Sequence, residues 1–177
     1  MFLYLAMIGS DADKSKFEIL YSEYKNLMYY TANRILRNSR DAEDVVHQAF
    51  LKVIEILDTI SSPRCHKTRA LLVTITEHKA IDLYREKQRR NVLPLAEEYI
   101  GAAPAAEIER LAERDTLAAA IASLPPRYRS VLLLRYDCGY SNAEIAKILD
   151  TTEPNVRKLI QRAKEKLSAQ LSGMEEP

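Results

Sequence analysis

Apolar residues recur at helical spacing through the first half of the chain and predict its first two helices. Ser15-Lys16-Phe17-Glu18 has the residue types of a capping box, so we expect a helix to begin there and to end near Asn38-Ser39. Its apolar face is Phe17, Leu20, Tyr21, Tyr24, Leu27, Met28, Thr31 and Ile35. A second helix, capped by Ser39 or Asp41, follows with apolar positions at Ala42, Val45, Val46, Ala49, Phe50, Val53, Ile56 and Leu57.

A break at Ser61-Ser62-Pro63 predicts a loop of about ten residues before a third helix. A loop of this length is longer than most connections in a compact bundle, which makes it a candidate functional loop. The third helix is expected from Thr68 to about Arg90, with apolar positions at Leu71, Leu72, Ile75 and Leu83. Its end carries more cations than a helix dipole needs, which favours a phosphate-facing role for Arg85, Lys87, Arg89 and Arg90.

The second half of the chain is separated from the first by residues 92–106, which lack an amphipathic period and are interpreted as a flexible linker. Beyond it we expect a helix from Ile108 to Leu124, ended by Pro125-Pro126, and another from Pro126 to Asp137. No stretch has a strand pattern. The predicted fold class is all-α, with two small helical domains joined by a flexible linker and a helix-turn-helix in the C-terminal one. The expected divisions are an N-terminal tail at 1–14, domains at 15–91 and 107–172, the linker between them, and a tail at 173–177.

The stretch from Gly139 to Leu167 predicts the helix-turn-helix. Ser141 and Glu144 have capping-box spacing, Asp150 lies where the chain must reverse with a left-handed backbone, and Thr152-Glu153-Pro154 opens a second helix. The apolar stripe of that helix is Val156, Leu159, Ile160, Ala163 and Leu167. The opposite face carries Arg157, Lys158, Gln161, Arg162 and Glu165, which suits contacts with base edges and phosphates. The alternative is a solvated polar face on an ordinary helical hairpin.

The charge distribution and the cysteine content indicate which classes of function the chain fits. The chain of 177 residues has 26 Lys and Arg against 25 Asp and Glu, but residues 85–90 and 157–166 are basic and 97–115 mostly acidic, so local clusters matter more than the net charge of +1. Cys65 and Cys138 have no metal-ligand spacing, and two reduced thiols in a cytoplasmic protein are expected. No metal, cofactor, small-molecule substrate or catalytic residue is expected. The apolar opening stretch is too short to span a membrane and is interpreted as a flexible tail, so no membrane insertion is expected.

Four stretches, in this order, resemble bacterial RNA polymerase sigma factors of the extracytoplasmic-function (ECF) group of the sigma-70 family. They are DAEDVVHQAFLKV at Asp41–Val53, RALLVTITEHKAIDLYREKQRR at Arg69–Arg90, LPPRYRSV at Leu124–Val131, and the GYS and EIA elements around Ser141 and Glu144. The resemblance implies that the chain binds core RNA polymerase and promoter DNA, and directs promoter recognition, DNA opening and transcription initiation without being an enzyme. It also implies an anti-sigma protein as a partner, which the sequence itself does not show.

The resemblance assigns roles to three groups of residues. The helix that contacts polymerase would use Asp41, Asp44, His47, Gln48 and Lys52. The loop and helix that read the -10 element would use Arg64, His66, Lys67, Arg69, His78, Lys79, Arg85, Arg89 and Arg90. The helix-turn-helix that reads the -35 element would use Arg129, Ser141, Asn155, Arg157, Lys158, Gln161 and Arg162.

Two alternatives stay open at this point. A stand-alone helix-turn-helix regulator would also bind duplex DNA, but it would need neither Asp41–Val53 nor the basic third helix. A sigma-like protein without promoter-opening activity is suggested by Leu71 and His78, where the family often has Trp and Asn.

Overall fold

The computed structural model describes residues 2–90 and 116–174, which divide between two compact units, Met1–Pro94 and Leu95–Pro177. Every regular element in the described residues is helical, which confirms the predicted fold class. The predicted linker at 92–106 and the predicted helical residues from Ile108 to 115 lie outside the described residues. Among the described helices, none has the length and apolar character needed to cross a bilayer.

Residues 2–90 of the N-terminal unit form four helices and a short 3-10 turn. They are α1 at Phe2–Ala6, α2 at Asp11–Leu36, α3 at Ser39–Glu55, the 3-10 turn at Leu57–Thr59, and α4 at His66–Arg90. Helices α2, α3 and α4 pack against one another, because each has an apolar face to bury. The fully buried side chains at their centre include Phe17, Leu20, Met28, Phe50, Leu71, Leu72 and Ile75.

The predicted starts of these helices need correction. Helix α2 begins at Asp11, where the Ser10 side chain accepts from the backbone amide of Asp13, so Ser15 lies inside the helix and not at its cap. Helix α3 is capped by Asn38, whose side chain accepts from the Asp41 amide, rather than by Ser39 or Asp41. In both cases a cap residue farther upstream satisfies one of the first free amides, and the helix starts earlier than the apolar pattern indicates.

The expectation of a flexible N-terminal tail is wrong for residues 2–14. Tyr4 and Ile8, one turn apart, are each 7% exposed. The Tyr4 ring lies 5.4 Å from Phe17 and 5.9 Å from Phe50, between centroids. Burial raises the pKa of its phenol, with a further contribution from Tyr21. Helix α1 is therefore part of the core of this unit.

Within residues 116–174, the C-terminal unit contains four helices. They are α5 at Thr116–Ser123, α6 at Pro126–Leu132, α7 at Asn142–Ile148 and α8 at Glu153–Met174, and α6 continues into a π-helical turn at Leu133–Asp137. Pro126 begins α6 at a position where no amide hydrogen is needed. The core of the C-terminal unit includes Leu124, Val131, Leu134, Ile145 and Val156, all fully buried.

Candidate functional site

The first helix of the predicted helix-turn-helix, α7, is held at its start by a reciprocal cap. The Ser141 hydroxyl accepts from the Glu144 amide at 3.2 Å, and the Glu144 carboxylate accepts from the Ser141 amide at 2.7 Å. Hydrogen bonds from the Ser141 side chain and backbone lower the pKa of Glu144. The predicted capping box is present, and it fixes where α7 begins.

The turn between α7 and α8 has the predicted left-handed residue. Asp150 has φ 50°, and the following Thr151 amide donates to the Ala146 carbonyl at 2.9 Å. Thr152 caps α8 by accepting from the Asn155 amide at 3.4 Å. The Asn155 side chain is half-buried and donates to the Thr151 hydroxyl at 2.7 Å, so it serves first to order the turn. These contacts set the angle at which α8 leaves α7.

Helix α8 has a buried stripe and an exposed basic face. Val156, Leu159 and Ala163 are buried, as the apolar pattern predicts. The exposed side chains on the other side include Arg157, Lys158, Gln161, Arg162 and Glu165. Arg157 forms an ion pair with Glu153, and Gln161 donates to Glu165 at 3.0 Å. Lys158 and Arg162 lie one turn apart and form no ion pair with a described residue.

Arg129 lies elsewhere in the C-terminal unit. Its side chain is half-buried, and its guanidinium donates to the Ala122 carbonyl at 3.3 Å, which ties α6 to the end of α5. Ser141 is exposed at the start of α7. The predicted set is therefore divided between side chains that face solvent on α8 and side chains that hold the helices together.

The outer face of α3 presents three of the five residues predicted to contact a protein partner. Asp44, His47 and Gln48 are exposed, spaced so that they share one side of the helix. The other two residues, Asp41 and Lys52, are not exposed as a contact with a partner would require. Lys52 is 6% exposed and its ammonium pairs with Glu55 at 3.0 Å, whereas Asp41, with a side chain 17% exposed, pairs with Lys87 of α4.

The basic residues of the loop before α4 and of α4 itself do not form one cluster. Arg64, His66, Lys67 and Arg69 are exposed around the start of the helix, whereas Arg89 and Arg90 are exposed at its end. Because Arg69 and Arg89 are 20 residues apart on α4, about 30 Å of helix separates the two groups. His78, Lys79 and Arg85 are half-buried between them. Leu71 is fully buried in the core.

The loop before α4 is shorter and more ordered than the predicted ten residues. The 3-10 turn and the early start of α4 leave residues 60–65 between them. The Thr68 hydroxyl donates to the Ser62 carbonyl at 2.6 Å, and the Thr68 amide donates to the Cys65 sulfur at 3.4 Å. The hydrogen bond with the Thr68 hydroxyl is the main reason that the pKa of the Cys65 thiol is lowered. Cys65 therefore acts as a cap for α4.

Comparison with known proteins places these elements in a family. Residues 20–90 match the sigma-70 region 2 model, and residues 114–167 match the sigma-70 region 4 model. The ECF RNA polymerase sigma factor SigW of Bacillus subtilis is 28% identical over 171 residues, with 90% of each chain covered. SigL of Mycobacterium tuberculosis, also an ECF sigma factor, is 27% identical over 154 residues, with 86% of each covered.

The chain belongs to the ECF group of the sigma-70 family. Among solved structures, the sigma factor RpoE of Bartonella quintana, in complex with the anti-sigma factor NepR, is 17% identical with a TM-score of 0.43. The alignment covers 92% of this chain and 97% of that one. The family-model matches place α3, α4 and most of α2 in sigma region 2, and α5 to α7 and most of α8 in sigma region 4.

Helix α1 was missed by reading the sequence. Ser10-Asp11-Ala12-Asp13 has the residue types of a helix cap, and this signal could have shown that α2 begins before Ser15. Tyr24, predicted on the apolar face of this helix, is 6% exposed. Burial is the main cause of its raised pKa; Glu23 and Cys65 raise it further, whereas Arg69 and Arg64 lower it.

Proposed function

We propose that this protein is an ECF sigma factor that binds core RNA polymerase, carries it to promoters and takes part in opening the DNA for transcription initiation. It performs no covalent chemistry itself. The observation that carries the proposal is the presence of sigma-70 regions 2 and 4, in that order, in one chain. A stand-alone regulator would need the second of these regions alone.

Polymerase binds the outer face of α3 through Asp44, His47 and Gln48. Their exposure supports this role, and a face with charged and neutral polar groups suits the orientation of a protein partner. Asp41 and Lys52 act differently from the initial assignment. Asp41 holds α3 against α4 through Lys87, and Lys52 packs within the unit beside Glu55.

The -10 element is read near the start of α4 by Arg64, His66, Lys67 and Arg69. Exposed cations around an ordered loop attract single-stranded DNA, and the hydrogen bonds of Thr68 hold the loop in place before DNA arrives. Arg85, Arg89 and Arg90 contact phosphates farther along the DNA, since they lie toward the other end of the helix. His78 and Lys79 lie between these groups. The burial of Leu71 argues against a lost DNA contact at that position, so it does not favour a sigma-like protein without opening activity.

The -35 element is read by α8, which enters the major groove. Lys158 and Arg162 are the strongest candidates for contact with bases or phosphates, because both are exposed and neither is held by an ion pair to a described residue. Arg157 and Gln161 can reach DNA after exchange of their partners Glu153 and Glu165. Asn155, Ser141 and Arg129 contribute by fixing the helix positions.

Transcription in vitro tests the proposal directly. Purified core RNA polymerase, the full-length protein and a genomic DNA library are combined, and the start sites that depend on the protein are mapped. The expected result is a set of new start sites preceded by a shared pair of sequence elements. Duplex binding without any protein-dependent start site would favour the stand-alone regulator instead.

A further inference from the structure

Helix α1 is anchored directly beside the face of α3 that the proposed function assigns to polymerase. The Tyr4 hydroxyl and Nδ1 of His47 are hydrogen bonded at 2.6 Å, and the two rings lie 5.3 Å apart between centroids. The Tyr4 ring also contacts Tyr21, at 5.9 Å. Because these contacts come from both α2 and α3, α1 has a defined position on the surface of the N-terminal unit.

Two large apolar side chains in and directly after α1 are exposed. Leu3 is 68% exposed and Met7 is 58% exposed. Leu3 lies in α1, and Met7 follows its last residue, where the Met7 amide donates to the Tyr4 carbonyl at 3.0 Å. No charged residue occurs from Phe2 to Ile8. Burial of these two side chains would be favourable, because it would remove apolar surface from water. Exposed apolar side chains that lie together are typical of a surface that a partner covers.

The position of this pair favours one kind of partner. Interfaces commonly combine a central apolar patch with a polar rim. Leu3 and Met7 supply the apolar part, and Asp44, His47 and Gln48 supply polar groups on the adjoining face of α3. A membrane surface fits less well, because the helix is short and the charged residues that follow it, Asp11 and Asp13, would be repelled by anionic lipid.

We propose that α1 extends the polymerase-binding surface of this sigma factor, with Leu3 and Met7 making apolar contacts to core RNA polymerase. The inference rests on the proposed function, since it concerns the same partner and the same face. Tyr4 is the residue that positions the patch, and His47 links it to the polar contacts on α3.

The test compares the affinity of full-length variants for purified core RNA polymerase, measured by fluorescence anisotropy in the absence of DNA. Leu3→Ser combined with Met7→Ser removes the apolar patch. Tyr30→Ser is the matched control, because Tyr30 is 70% exposed on α2 of the same unit. The double variant is expected to bind about tenfold more weakly or worse, whereas the control binds as the unaltered protein does. Circular dichroism checks that both variants keep their helices.

The other outcomes distinguish this inference from the proposed function. Unchanged affinity of the double variant, together with a loss in Asp44→Lys, would overturn the role of α1 and leave the proposed function intact. Tighter binding by the double variant would also overturn it, because α1 would then shield the polymerase face. If the unaltered protein did not bind core polymerase, the proposed function and this inference would both fail.

Discussion

Arg34 of α2 and Glu77 of α4 form an ion pair with Nη2 and Oε1 3.3 Å apart. The Glu77 side chain is 8% exposed and that of Arg34 is 51% exposed, so a buried carboxylate is partnered by a cation at the surface. The pair joins two helices of sigma region 2 across 43 positions in the sequence. It stabilises the packing of α4, the helix that carries the residues proposed to bind the -10 element.

Replacing Arg34 by Met should destabilise the N-terminal unit. Glu77 would lose this partner, and a cost of about 1 kcal/mol is expected, since the pair is partly screened by water. Hydrogen exchange of the α4 amides measures the local free energy of opening. Arg40→Met is the control, because Arg40 is exposed and its removal should leave the exchange unchanged. Equal protection in the two variants would show that the ion pair contributes nothing.

Charge reversal at Asp44 should impair the capture of core polymerase. Asp44→Lys places a cation where the outer face of α3 has an exposed carboxylate, and binding about tenfold weaker is expected, with less effect at high salt. Anisotropy with labelled sigma factor gives the affinity. Glu18→Lys makes the same charge change at an exposed site on α2 and should bind normally. Similar affinities for both variants would count against the assignment of α3.

Removal of Lys158 or Arg162 should weaken the binding of duplex DNA by sigma region 4. Each Ala variant is expected to bind duplex DNA more weakly. Where the side chain contacts a phosphate, the plot of log K against log salt should also become less steep, by about 1 in slope. Titrations of a promoter duplex at several salt concentrations measure this slope, and binding to core polymerase should be retained. Lys25→Ala removes one charge from the N-terminal unit and is the control. A slope that stayed the same in both α8 variants would remove these residues from the phosphate contacts.

The cap of α7 should make the stability of the helix-turn-helix depend on pH. The Ser141 hydrogen bonds lower the pKa of Glu144 in the folded protein. Their contribution to stability is therefore present above the pKa that Glu144 has in the unfolded chain, and it is lost as the pH falls through the pKa of Glu144 in the folded protein. Ser141→Ala should raise the pKa of Glu144 and cost about 1 kcal/mol at neutral pH. The difference in stability between Ser141→Ala and the unaltered protein should become smaller as the pH is lowered.

An NMR titration of the Glu144 carboxylate, with hydrogen exchange of α7, measures both effects. Ser141→Thr keeps a hydroxyl at the cap and should restore most of the lowered pKa. If the Ala variant titrated like the unaltered protein, the hydroxyl would have no part in holding Glu144 ionised.

Prediction from the sequence succeeded where neighbouring residues decide the structure. The cap at Ser141 and Glu144, the left-handed Asp150 and the buried stripe beginning at Val156 all depend on residues within a few positions of one another. Helix α2 starts earlier than predicted because two cap sequences compete, and Ser10, five residues before Ser15, accepts from the Asp13 amide. The exposure of individual site residues was harder to predict. Lys52 is a charged side chain whose burial depends on the packing of its helix.

The sequence by itself determined the helical class, the helix-turn-helix and the resemblance to sigma factors, because helical periodicity and short motifs are local properties of a chain. The tertiary structure decided which of the motif residues face outward. The contact of Tyr4 with His47 spans 43 positions and that of Asp41 with Lys87 spans 46. Such contacts exist once the helices have packed, since burial and ion pairing then depend on distances in space and not on spacing along the chain.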